Sequence, residues 1–250
     1  ALSSLIGGII AAVCVLPAGV AAGAELPLIV RGSKSVQILP GAAGPMTITI
    51  SKREMRIYPE PTEMTVTVSD PWQRQVATTV IPALDRAEPV ETQIVQLQIE
   101  VEEPGLHRVD VSVGGHGDVL WGMEISSGRY LVVGEVFVND ASIGGDIYFS
   151  APDGAFTLSA TTPHDAGIQQ IWVYDALGEA IGAIDLVERG ETVELEVPAG
   201  AGDRSGPWRL GLEAMNARVF SSALKYWTTE STMVFDPADV KRYIAPSAKS

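Results

Sequence analysis

From Glu25 onward, apolar and polar residues alternate in short runs separated by Gly, Pro and Asp. Period-two alternation puts successive side chains on opposite faces of a strand. Met46–Ser51 reads MTITIS, and Glu63–Ser69 reads EMTVTVS before an Asp70-Pro71 turn. Gln93–Val101 reads QIVQLQIEV, with Ile94, Val95, Leu97, Ile99 and Val101 expected inward. Glu102-Glu103-Pro104-Gly105 has the residues of a tight turn. Leu106–Val113 then returns as a strand, so residues 93–113 are expected to form a hairpin. Residues 26–130 predict roughly seven strands at sandwich spacing. Their Thr-rich faces suit antiparallel sheets with one wet side.

A second run of strands starts near Leu131. It includes Val132–Val138, Asp146–Ser150, Ala155–Ala160, Gln170–Asp175, Thr192–Val197 and Pro207–Leu212, with Phe220, Leu224, Tyr226 and Trp227 near its end. A short helix is expected at 236–243, with Asp236 as N-cap and Pro237 at the first helical position. The expected fold is mainly β: two antiparallel β-sandwich domains, 25–130 and 131–235, preceded by one N-terminal hydrophobic helix and followed by a tail, 236–250.

The hydrophobic segment is Ala1–Ala24, which contains no charged residue. As a helix rising about 1.5 Å per residue it is long enough to cross a hydrocarbon core of roughly 30 Å. One reading is a signal peptide, with an apolar stretch Leu5–Val15, a break at Pro17 and Gly19, and an Ala22-Gly23-Ala24 cleavage site. The favoured reading is a retained anchor. Ser4, Gly8 and Ala12 recur four apart, the small-residue pattern that lets membrane helices approach closely. Cys14 is the one cysteine, so no intrachain disulfide forms, and the β-rich remainder relies on its core.

The net charge is −14, from 17 Lys/Arg against 31 Asp/Glu. That balance argues against nucleic acid as a partner, because phosphate contacts need basic patches. No catalytic constellation is visible. His107, His116 and His164 fall in separate strand or loop contexts, with His107 expected at the surface. They lack metal-ligand spacing, and no nucleophile elbow or haem-attachment pattern occurs. Asp140, Asp146, Asp153, Asp165 and Asp203 sit in turns, where Asp is common for backbone reasons, and form no calcium loop. No cofactor or metal is expected. Among the five tryptophans, Trp172 and Trp208 are expected in the core, and Trp72, after Asp70-Pro71, at the surface. Trp72, His116 and Asp118 are the candidate interface residues, carried by loops at the ends of the first sandwich.

Residues 146–213 resemble the jelly-roll modules of exported bacterial proteins, including pre-peptidase C-terminal domains. The matching pieces are IYFSAPDG (147–154), IWVYDALGE (171–179), VELEVPAG (193–200) and GPWRL (206–210). Ala176 stands where that family tends to have Pro. The resemblance implies a non-catalytic module that contacts protein or glycan. Residues 26–130 resemble immunoglobulin-like modules in general pattern.

The function expected from sequence is a non-enzymatic, membrane-anchored accessory subunit on the extracytoplasmic, periplasmic side of a membrane complex, with a photosynthetic or respiratory assembly as one host. Its partners would be the bilayer and neighbouring subunits. The alternative is a secreted or surface glycan-binding, adhesive sandwich.

Overall fold

The computed structural model describes residues 23–85, 87, 89–115, 119–138, 145–162, 169–212, 217–221 and 223–244. The proposed anchor, with Ser4, Gly8 and Ala12, therefore lies outside the described residues, as do His116, Asp118, Asp140, His164 and Asp165.

The protein is mainly β. The first nine strands are β1 (Ala24–Arg31), β2 (Lys34–Leu39), β3 (Gly44–Glu54), β4 (Met64–Ser69), β5 (Gln75–Ile81), β6 (Thr92–Val101), β7 (His107–Val113), β8 (Val119–Ile125) and β9 (Arg129–Val133). The next nine are β10 (Val136–Val138), β11 (Gly145–Phe149), β12 (Phe156–Thr161), β13 (Gln169–Tyr174), β14 (Ala180–Leu186), β15 (Thr192–Val197), β16 (Trp208–Leu212), β17 (Ala217–Phe220) and β18 (Tyr226–Trp227). A 3₁₀ turn (Ser231–Met233) and helix α1 (Pro237–Ile244) follow.

The strand order contains an internal repeat. An eight-stranded sheet runs β15-β12-β17-β10-β1-β8-β3-β6. Adding nine to the labels of β6-β3-β8-β1 gives β15-β12-β17-β10, so its two halves mirror each other about the β1–β10 pair. The opposing layer repeats too: β5-β4-β7-β2-β9 matches β14-β13-β16-β11. β18 completes the match in two ways. It pairs with β9, and Thr228 just beyond it bridges to Tyr148 of β11. Strands β1–β9 and β10–β18 are thus two sandwich units of one topology, hydrogen-bonded to each other in both layers. The change of unit falls at Gly134-Glu135. The expected boundary at residue 130 lies inside β9, whose Arg129–Val132 still pair with β2.

Alternation explains the layers. On β3, Met46, Ile48 and Ile50 are buried while Thr47, Thr49 and Ser51 lie half-buried on the outer face. On β4, Met64, Val66 and Val68 do the same against Thr65 and Thr67. Trp121, Trp208, Tyr130 and Phe149 are, with Trp227, among the largest side chains of a buried cluster that spans both units. Trp121 Nε1 donates to Gly32 O (2.8 Å) and Trp208 Nε1 to Asp203 O (2.7 Å). The Tyr130 hydroxyl donates to Glu25 O (2.8 Å) and lies 2.7 Å from Thr229 Oγ1, tying the start of β1 to the C-terminal segment.

Several expectations need correction. Residues 93–113 are not a hairpin: β6 pairs with β3 in one layer and β7 with β2 and β4 in the other. The Glu102–Leu106 link crosses the sandwich, and its Pro and Gly serve that corner as well as they would a hairpin turn. Ile94 points outward and is 66% exposed, while Val95 packs on the core, because inward phase runs through Val95, Leu97, Ile99 and Val101. The first unit has nine strands rather than about seven. Ala24, assigned to the hydrophobic helix, is a buried residue of β1 paired with Ile125. The C-terminal helix forms as expected, with Asp236 Oδ1 accepting from Ala238 N (2.7 Å) at its start.

Candidate functional site

The hairpin between β4 and β5 turns through Asp70-Pro71-Trp72-Gln73-Arg74. Its conformation follows from one buried carboxylate. Asp70 Oδ1 accepts from Trp72 N (2.9 Å) and Arg74 N (2.8 Å), and Oδ2 accepts from Arg74 Nε (2.5 Å). Main-chain bonds from Asp70 N to Arg74 O and from Gln73 N to Asp70 O close the loop. Gln73 adopts a left-handed φ of 66°. Burial works to raise the Asp70 pKa, but the Arg74 N–H, the Arg74 guanidinium and the Trp72 N–H outweigh it. The carboxyl therefore titrates below its ordinary range and stays ionised under the turn.

This anchoring leaves Trp72 nowhere to pack inward. It is 48% exposed, and the Arg74 guanidinium carbon lies 5.1 Å from its ring centroid. Beside it opens a cleft of about 280 Å³, walled by the turn, by Gln75 and Val76 of β5, and by Glu100, Glu102, Glu103 and His107. Arg74 also reaches Glu102 at 3.5 Å. The wall thus carries four carboxylates against one guanidinium. The arrangement offers an aromatic face, several hydrogen-bond acceptors and a surplus of negative charge. It contains no nucleophile held by a base, the pairing that nucleophilic catalysis needs.

The second unit shows what the same scaffold looks like without a cleft. Its β13–β14 hairpin turns through Asp175-Ala176-Leu177-Gly178-Glu179. Asp175 Oδ1 accepts from Leu177 N (3.0 Å) and Glu179 N (2.9 Å), and Gly178 takes the left-handed position with φ 85°. Here Asp175 Oδ2 accepts from Asp203 N (2.8 Å) instead of from an arginine. That N–H does most to hold the Asp175 carboxyl below its ordinary range. The β15–β16 link (198–207) is longer than the β6–β7 link (102–106) and folds onto the turn. At Gly202 a Cβ would come within 2.9 Å of both Asp175 Cβ and Trp208 Cζ2. Trp208 occupies the register position of His107, since Arg209 opposes Tyr174 as Arg108 opposes Ser69. A shorter link, and a histidine in place of a tryptophan, accompany the open cleft.

Of the sequence candidates, Trp72 stands in this cleft; His116 and Asp118 lie outside the described residues. His107 is buried, not superficial, with Nδ1 3.0 Å from Gly105 O. It shares inward phase with Val109 and Val111, a signal the sequence carried. Trp208 is fully buried as expected, but Trp172 is half-buried on the outer face beside Tyr174. Asp146 pairs with Arg209 at 3.0 Å, and Asp203 bonds to Ser205. Among the described residues no three His, Cys, Asp or Glu side chains gather as a metal-binding set, and no helix is long and apolar enough to cross a membrane. The buried Lys52–Glu54 pair (2.9 Å) is structural: Lys52 Nζ also donates to Pro82 O (2.7 Å) and Leu84 N donates to Glu54 Oε1 (2.9 Å), pinning the β5–β6 connection. Two larger hollows, about 530 and 400 Å³, adjoin the segment Phe235–Val240. Neither combines an exposed tryptophan with four lining carboxylates.

No family model and no curated protein matches the chain. Among solved structures it is similar to dimeric latent PorU from Porphyromonas gingivalis, at 10% identity and a TM-score of 0.31, over 87% of this chain and 22% of that one. The chain therefore spans less than a quarter of PorU's length. It is also similar to the CBM22-1–CBM22-2 tandem domain of Paenibacillus barcinonensis Xyn10C, at 9% identity and a TM-score of 0.22, over 75% and 79% of the two chains. Likenesses this loose say nothing about ligand or activity.

Proposed function

We propose that this chain is a non-enzymatic, extracytoplasmic recognition protein that holds a neutral or amine-bearing sugar in the Trp72 cleft. The observation that carries the reading is an exposed tryptophan fixed at the mouth of a carboxylate-lined cleft, which the sister unit fills with its own chain. A pyranose ring stacks its C–H face on an indole, and its hydroxyls donate to carboxylates. The excess of Glu over Arg repels uronic acids. Calorimetry against neutral, amine-bearing and acidic oligosaccharides tests this. Binding of the first two classes that falls at least tenfold in Trp72→Ala supports it. Equal binding by the variant, or a preference for acidic sugars that follows Trp72, refutes it.

A second reading, a membrane-anchored accessory subunit, is favoured by the charge-free tract Ala1–Ala24. The resemblance of 146–213 to modules of exported bacterial proteins fits either version. Fractionation of cells separates them: release only by detergent supports the anchor, and a free chain starting near Gly23–Glu25 supports secretion.

A further inference from the structure

The outer face of the eight-stranded sheet carries a straight row of residues aligned by cross-strand register. From β12 it runs Thr161, Arg218 (β17), Phe137 (β10), Arg31 (β1), Leu120 (β8), Arg53 (β3) and Thr92 (β6). The β1–β10 step follows from Val30 opposite Val138, which sets Arg31 beside Phe137. Side-chain geometry confirms the alignment. Arg31 lies 5.3 Å and Arg218 4.6 Å from the Phe137 ring centroid. Phe137 is half-buried, and Arg53 and Arg218 are exposed.

Three arginines in one line are conspicuous in a chain with net charge −14 and only 17 basic residues. Lys34, on β2 of the other layer, lies close to Arg218 but is ion-paired with Glu135. Burial is the main reason its pKa is lowered; Glu135, 3.6 Å away, opposes the shift, and Arg218 contributes to it. The arginines recur on every second strand. With strands about 4.8 Å apart, their spacing is about 9–10 Å.

From this alignment we infer that Arg218, Phe137, Arg31 and Arg53 of this row bind a linear acidic polysaccharide, a polyuronate, laid across the strands. In an extended polysaccharide each ring advances by close to one strand spacing. Where successive rings turn over, carboxylates on one side recur at every second ring, the period of the arginines. Phe137, half-buried, then meets a ring face between two of the charged positions; Leu120 is buried and offers no such contact. An extended acidic peptide is out of step: its same-side residues recur at about 6.8 Å. The site is separate from the Trp72 cleft and opposite to it in charge.

Calorimetry on the full chain, with uronate oligomers of two to six sugars, tests the inference. The hexamer should bind more tightly than the dimer, and binding should weaken as salt rises from 50 to 200 mM. Arg53→Gln and Arg218→Gln should each weaken it about tenfold, as loss of a charge-assisted hydrogen bond would. Arg189→Gln removes the same charge from an exposed turn off the row and should leave affinity unchanged, as should Trp72→Ala. Both row positions are exposed, and circular dichroism would verify that the variants fold. The inference is overturned if the carboxyl-reduced hexamer binds as well, or if a hexaglutamate peptide binds as tightly. It is equally overturned if Arg189→Gln matches the row variants, if Trp72→Ala abolishes binding, or if no oligomer binds.

Discussion

Removing the Asp70 carboxylate should cost stability and disorder the Trp72 turn together, because one side chain supports both. Asp70→Ala deletes three hydrogen bonds, two from main-chain N–H groups and one from the Arg74 guanidinium. Bonds to a charged group contribute about 1.5–3 kcal/mol each. The two N–H groups belong to exposed residues and regain water, which puts them at the low end. Arg74 is 62% exposed, so solvent screens its pairing and the two main-chain bonds carry most of the loss. The expected loss is about 3–4 kcal/mol for Asp70→Ala. For Asp70→Asn, which keeps an acceptor for both N–H groups and loses only the ion pair, it is much smaller. Urea unfolding midpoints at pH 7 measure both, and iodide quenching of Trp72 reports the turn. The pH dependence gives a second handle. A carboxyl held low contributes stability that is complete above its unfolded pKa of about 3.9 and disappears as pH falls through its lower native value. The gap between wild type and Asp70→Asn should therefore be constant above about pH 5 and narrow as pH falls below the unfolded pKa, closing once the native carboxyl protonates. Equal losses for Ala and Asn, or a gap that persists in acid, would refute the assignment of the turn to this carboxylate.

Other substitutions probe separate parts of the argument. Gly122→Ala should destabilise by several kcal/mol, since a Cβ there would lie 2.7 Å from Leu26 O and 2.8 Å from Leu28 N, where β1 bulges over β8; a melting temperature within a degree of wild type would remove the bulge as the reason for glycine. Lys52→Met should cost about 3–5 kcal/mol by stranding Glu54, whereas the double replacement Lys52→Met with Glu54→Leu should recover much of that loss in a denaturation series. Gln73→Gly should be neutral or stabilising by up to about 1 kcal/mol, because glycine relieves the left-handed φ that Gly178 occupies in the sister turn; a clear loss in urea would show that Gln73 makes a contact worth more than its strain.

Strands such as β3, β4 and β6 were legible because each has one wet face, so Thr and Gln mark the outside as plainly as Ile and Val mark the inside. Partners were not legible. Pairing in both layers is non-local, and Glu102–Gly105 has the same residues whether a chain reverses within a sheet or crosses to the opposite one. Trp72 stood out because it follows Asp-Pro, which stops the strand before the aromatic can turn inward. Its neighbours could not be found that way: Glu100, Glu102, Glu103 and His107 reach the cleft from the end of β6, the crossing link and the start of β7, far along the chain. The basic row escaped for the same reason, since its arginines come from separate strands and only register aligns them.

The repeat was hidden in sequence although a trace of it survives. Val68-Ser69-Asp70-Pro71-Trp72 and Val173-Tyr174-Asp175-Ala176-Leu177 put an aspartate before each turn and a large apolar residue at each tip. The carboxylate persists because it satisfies the N–H groups of a turn whose fourth residue is left-handed, a backbone demand independent of ligand. What differs is the side chain at the tip and the link that faces it. In the second unit the link folds down and hands Asp175 a main-chain N–H, so nothing is left to recruit a guanidinium. In the first unit the link is short, Arg74 takes that place, and its other contacts, the Trp72 ring and Glu102, line up along the cleft wall. Stability requires only that the aspartate be satisfied, and both units manage it. The first alone does so with a side chain that also holds an aromatic face open to solvent, and that divergence on a shared backbone is the strongest physical reason to look for the ligand there.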